Sequence, residues 1–188
     1  MSKPRTANPA LAISEADLAS ALALIGTEIH HQPLRSSALA RIMRETFHGS
    51  DAGGAWDWRM AYDLMQAAAI QVLLRGDNAV DDIATAKLLA SRLLTETRRS
   101  EQQIRLQQFS TPLPFAALAA RAAAIRKGET VLEPSAGTGA LAAFAARAGA
   151  TLLLNEIDPF RQHLLRAVFG GEVTGHDGEH IDDLLQTP

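Results

Sequence analysis

The segment that most restricts the fold is Val131-Leu132-Glu133-Pro134-Ser135-Ala136-Gly137-Thr138-Gly139-Ala140, an apolar run that ends on a carboxylate and passes through two glycines into alanine-rich sequence. Apolar residues, a glycine turn and then helix formers read as strand, tight loop and helix, the start of a parallel α/β unit. Glycine suits such a loop because it lacks Cβ and tolerates positive φ, so backbone can approach a ligand closely. The spacing Gly137-x-Gly139-x-x-Ala142 also fits the pattern in which a helix N-terminus receives the pyrophosphate of a dinucleotide. Glu133 argues against that ligand. An ionised carboxylate beside the loop repels a pyrophosphate and attracts an ammonium or sulfonium.

The same alternation continues to the C-terminus. Strands are predicted near residues 130–133, 151–155 and 172–175, with helices near 139–148, 159–169 and 179–186, so the second part of the chain reads as a parallel sheet. Upstream the periodicity is helical throughout. Ser14 with Asp17 resembles a capping box, and Leu18, Leu22, Ile25 and Ile29 recur on one face to about His30. A second helix is predicted from Ser36 to Phe47, and the Gly49–Gly54 segment breaks it. Trp58, Tyr62, Met65, Ala69, Val72 and Leu73 mark a third, ending near Gly76, and Asp81 to about Arg105 reads as one long helix or two. After Pro114 a short helix reaches Ile125. The expected organisation is an N-terminal α-helical bundle over residues 1–107, followed over 108–188 by the first three strands of a Rossmann-like sheet.

Several motifs in this order resemble the class I S-adenosylmethionine-dependent methyltransferases, and LEPSAGTGAL is close to the form found in DNA adenine N6 enzymes. Leu152-Leu153-Leu154-Asn155-Glu156-Ile157-Asp158-Pro159 looks like the family's second strand, and Val173-Thr174-Gly175-His176-Asp177-Gly178 like its third. Gln108-Phe109-Ser110-Thr111-Pro112 resembles the segment that folds over the methionine end of the cofactor. The resemblance implies that S-adenosylmethionine is held by Thr111, Pro112, Glu133, Pro134, Ala136, Gly137, Gly139, Glu156, Ile157 and Asp177. In it Gly137 and Gly139 shape the loop, Glu133 serves the methionine end, Glu156 the ribose hydroxyls and Asp177 the adenine. The finer likeness is to the amino-terminal, methylase-like part of bacterial strawberry notch family proteins, where a helicase follows. No (Asn/Asp/Ser)-Pro-Pro-(Tyr/Phe) acceptor motif occurs before Pro188. The resemblance therefore implies the front of a longer polypeptide, with no catalytic residue in this sequence and a first strand whose bare edge invites pairing.

Charge and composition refine the expected partners. Residues 1–127 carry 15 basic against 12 acidic side chains, and residues 128–188 carry 3 against 9. DNA contacts are thus expected on the leader, where Arg92, Arg98, Arg99 and Arg105 could form a stripe, and the acidic remainder suits a cationic cofactor. Trp56 and Trp58 are read as core anchors rather than base-stacking residues. The chain has no cysteine, which excludes disulfides and thiolate metal sites. His176 and His180 stand four apart, but Gly178 between them implies a turn rather than the helix of a zinc motif. No apolar run approaches the roughly 20 residues that span a bilayer, and the expected location is the cytoplasm. Two other function classes stay open: a non-catalytic methyltransferase-like module that helps a helicase or partner engage nucleic acid, and an NAD-linked oxidoreductase.

Overall fold

The structure is a computed structural model that describes residues 13–77, 81–96 and 110–181. Within them lie seven α-helices and a three-stranded parallel sheet, a mixed α/β architecture compatible with part of a Rossmann-like fold. None of these helices is long and apolar enough to cross a membrane.

Helix α1 spans Glu15–His31, and its start is set locally: the Ser14 hydroxyl accepts the Asp17 N–H at 3.0 Å. Leu18, Leu22, Ile25 and Ile29 form its buried stripe. Helix α2 (Ser36–Thr46) buries Leu39, Ile42 and Met43. Asp57 caps α3 (Trp58–Arg75) through the Met60 N–H at 2.7 Å, and Asp81 caps α4 (Asp82–Arg92) through the Ala84 N–H at 3.2 Å. Trp56 is buried and donates its indole N–H to the Gly49 carbonyl at 3.0 Å, as a core anchor does.

Of the two alternatives for the stretch from Asp81, a single long helix is excluded, because α4 stops at Arg92; residues 97–109 lie outside those described. The Arg92 carbonyl accepts the Leu34 N–H at 2.8 Å, the Leu94 N–H points to the Met65 sulfur at 3.3 Å, and the extended chain lays Leu93 and Leu94 on the core. The Arg92 guanidinium also bonds the Ile29 carbonyl at 3.0 Å and that of His30 at 2.6 Å, closing the C-terminus of α1 instead of standing in a phosphate stripe. Arg98, Arg99 and Arg105 lie outside the described residues.

The second part runs α5 (Leu113–Ala123), β1 (Thr130–Glu133), α6 (Ala140–Arg147), β2 (Thr151–Asn155), α7 (Pro159–Phe169), β3 (Val173–Thr174) and a 3-10 turn (Gly178–His180). Helix α5 ends two residues before Ile125, where Ala124 takes a left-handed conformation. The strand order is β1-β2-β3, all parallel, with Leu132 beside Leu153 and Leu154 beside Val173. Ala142 of α6, Leu165 of α7 and the strand residues Leu154 and Val173 form a small core on one face of the sheet. On the other face Leu132 and Leu153 remain 40% and 44% exposed.

The larger core does not stop at the start of the sheet region. Ala140, Ala143 and Phe144 of α6 and Phe160 and Leu164 of α7 are continuous with the buried faces of α1 to α4. Arg147, its side chain only 4% exposed, locks this junction: it bonds Asp82 at 2.7 Å and the carbonyls of Leu73 and Asp77 at 2.8 and 3.1 Å. One guanidinium thus closes the end of α3 and the start of α4 from α6.

Candidate functional site

The C-terminal ends of parallel strands are where an open α/β sheet binds ligands, and here three chain segments meet there. After β1 the Ala136 N–H bonds the Asn155 carbonyl at 2.9 Å, and after β2 the Glu156 N–H bonds the Thr174 carbonyl at 3.0 Å. The buried Asn155 side chain clips all three ends. Its amide donates to the carbonyls of Pro134 and His176, each at 2.9 Å, and its oxygen accepts the Thr174 hydroxyl at 2.7 Å and the His176 N–H at 2.9 Å. All the acceptor and donor sites of the amide are thereby engaged.

The two glycines of the loop differ in purpose. Gly137 has φ 59°, and a Cβ built there would meet nothing within 4 Å, so its position is open to an approaching group. Gly139 has φ 96° and caps α6, and a Cβ there would strike the Phe169 ring and lie 3.0 Å from Leu165. Gly139 is therefore required by the packing of the loop against α7, and it shapes the site from behind.

Glu133 and Glu156 also divide. Glu133 is half-buried at the end of β1, and among the described residues no hydrogen bond or ion pair satisfies its carboxylate. Burial pushes its proton affinity up with no opposing partner. Glu156 is only 5% exposed. One of its oxygens accepts the Gly137 N–H and the other the Asp158 N–H, both at 2.8 Å, so it joins the glycine loop to the turn after β2. Desolvation raises its proton affinity too, opposed by the Asp158 N–H and the Arg161 guanidinium. An amide of the glycine loop that could hold a phosphate oxygen is thus already held by a carboxylate.

The structure gathers Thr111, Glu133, Ala136 and Gly137 around a shallow cleft of about 40 Å³. Pro112 lies instead in a cavity of about 520 Å³ between α3, the end of α4 and the start of α5, and the two hollows share Ser110, Thr111, Thr138 and Ala140 as walls. Pro134 contributes its carbonyl to the Asn155 clip. Ile157 is exposed on the turn after β2, and Asp177 is exposed beyond β3, where one of its oxygens caps the 3-10 turn through the Glu179 N–H at 3.1 Å. Asp158 caps α7, accepting the N–H groups of Phe160 and Arg161 at 3.0 and 3.1 Å, as its place before Pro159 implies.

Sequence reasoning missed the residues that hold these loops from the leader. Arg161 forks onto Asp63 with contacts of 2.7 and 3.2 Å, Arg59 pairs with Asp158, and Gln66 accepts the Thr138 hydroxyl at 2.9 Å. A signal existed, since Arg59, Asp63 and Gln66 are polar residues in a helix that is otherwise apolar on nearly every side. The loop residues they engage, Asp158, Arg161 and Thr138, stand 72 to 99 residues away, and no local pattern names them. Compared with known proteins, the chain matches no family model, no curated protein and no solved structure.

Proposed function

We propose that the strand-end site binds S-adenosylmethionine and that the chain is the cofactor-binding part of a class I methyltransferase fold, of the kind that acts on nucleobase amines. The observation that carries this reading is the half-buried carboxylate of Glu133, without a partner among the described residues, beside a glycine loop whose Gly137 amide is already taken by Glu156. A desolvated carboxylate without a partner marks a functional position and favours a positive charge. Two carboxylates at this loop disfavour a pyrophosphate, which counts against NAD. Gly137 leaves room for close approach, and the cavity beside Pro112 adjoins the cleft with a size in the range of small-molecule sites.

When bound, the cofactor supplies a methyl group activated by its sulfonium. The chain's own part is binding and orientation. Glu133 and Thr111 receive the charged amino-acid end, Gly137 admits the ligand to the backbone, and Glu156 uses its remaining acceptor sites for the ribose hydroxyls. Ile157 would offer its exposed side chain to the adenine, and Asp177 would accept from the adenine amino group. Nucleic acid is the proposed acceptor, carried by the resemblance of the loop motifs and by the basic balance of the leader.

Calorimetric titration with S-adenosylhomocysteine and with NAD tests the reading. The expected result is saturable binding of the first, weakened about tenfold or more in Glu133→Gln or Glu156→Gln, as loss of a charge-assisted contact implies. Binding of NAD in preference, or of neither ligand, would overturn it.

A further inference from the structure

Helix α3 carries Arg59, Asp63 and Gln66 at the spacing i, i+4, i+7, one stripe facing the sheet region. In a helix that buries Met60, Leu64, Met65, Ile70 and Leu73, these polar groups incur desolvation that apolar residues would avoid. Each is directed at a loop of the ligand site. Arg59 pairs with Asp158 and stands 3.8 Å from Asp63, Asp63 receives the fork of Arg161, and Gln66 accepts from Thr138 while donating to Glu96. Asp158 closes the turn that Glu156 opens, Arg161 lies in the first turn of α7 just beyond it, and Thr138 lies between the two loop glycines. The stripe therefore touches both loops that Glu156 bridges through the Gly137 and Asp158 amides.

From this juxtaposition we infer that α3 is the positioning element of the ligand site: Arg59, Asp63 and Gln66 hold the glycine loop and the turn after β2 at one spacing, and so fix Glu156 before a ligand arrives. The inference rests on the proposed cofactor reading for its effect on affinity, but its mechanical part stands on the loops alone. Two guanidiniums, Arg59 and Arg161, face three carboxylates, Asp63, Asp158 and Glu156. All lie in or against a buried network, so removal of one member shifts the others rather than being screened by water. Among the described residues the Arg59 Nε has no hydrogen-bond partner, which leaves that side chain held by its pairings with Asp158 and Asp63.

Two readouts test this on the full chain. Amide hydrogen exchange should quicken about tenfold or more at Gly137 and Asp158 in Asp63→Asn, with the α1 amides of Leu22 and Ile25 unchanged. Should Asp63→Asn fail to fold, Arg59→Gln, at a site less deeply buried, is measured in its place with the same expectation. In titrations with S-adenosylhomocysteine the same variant should weaken binding about tenfold, and should weaken it no further in a Glu156→Gln background, because the two act through one group. Unchanged exchange at both loop amides, or equal acceleration in α1, would overturn the positioning role. Additive losses in the double variant would overturn its action through Glu156. Altered exchange in a chain that binds no S-adenosylhomocysteine would keep the coupling of the loops and reject the cofactor reading.

Discussion

Glu133, Glu156 and Asp63 all bind protons more tightly than a carboxylate in water does, and the first cause in each case is burial. For Asp63 the Arg161 guanidinium opposes that effect, whereas nothing opposes it at Glu133. A carboxylate raised in the folded chain adds stability below its unfolded value and loses it as pH climbs through the folded value. Conformational stability should therefore fall as pH rises from the ordinary glutamate value of 4.5 toward neutrality, while affinity for a cationic ligand rises across the same window. Urea denaturation at about pH 5 and pH 7 checks the first part, and Glu133→Gln should flatten the pH slope. An identical slope in that variant would show that Glu133 is not among the groups responsible. Caps offer a second contrast at this scale. Ser14→Ala removes an exposed cap and should cost about 1 kcal/mol, whereas Asp158→Ala also strips Arg59 of a buried partner and should cost about 3 kcal/mol or more. Equal losses in denaturant midpoint would show that the Arg59 pairing contributes nothing.

Helices α1, α3 and α4 start where Ser14, Asp57 and Asp81 cap them, and α7 starts where Asp158 does. These starts depend on a side chain within three residues of the amide it accepts, which is why they are legible in sequence. Ends are harder to read. The stop of α4 depends on Leu34, whose N–H comes from a different part of the chain to take the Arg92 carbonyl. The junction made by Arg147 is of the same kind, since it caps α3 from α6. Its planar fork serves Asp82 and several carbonyls together, a geometry that lysine cannot reproduce. Arg147→Leu should destabilise the chain by about 1–2 kcal/mol through loss of the Asp82 pairing and of the bonds to the Leu73 and Asp77 carbonyls, and Arg147→Lys should recover only part of it. Full stability of the lysine variant in thermal or urea unfolding would reduce the contact to a simple charge effect.

On the scale of the whole molecule, the core that joins α1 to α4 with α6 and α7 makes the leader part of the scaffold beneath the proposed ligand site. Unfolding should accordingly be one cooperative event. Tryptophan fluorescence, which reports on Trp56 and Trp58 in the leader, should trace the same transition as exchange of the Leu154 amide in β2. Separate midpoints would mean two independent units. What the sequence by itself determined is everything carried by short-range periodicity and turn chemistry: the α1 stripe, the strands at 130–133 and 151–155, the glycine loop that opens α6, and the carboxylates placed at strand ends. Such features arise from neighbours a few residues apart, whose spacing is written in the chain. Only the tertiary structure decided that Asn155 ties three strand ends together, that Glu156 faces loop amides, and that Arg59, Asp63 and Gln66 look inward onto those loops. Buried polar groups must find partners wherever the fold brings them, and those partners are chosen by packing across tens of residues rather than by local pattern.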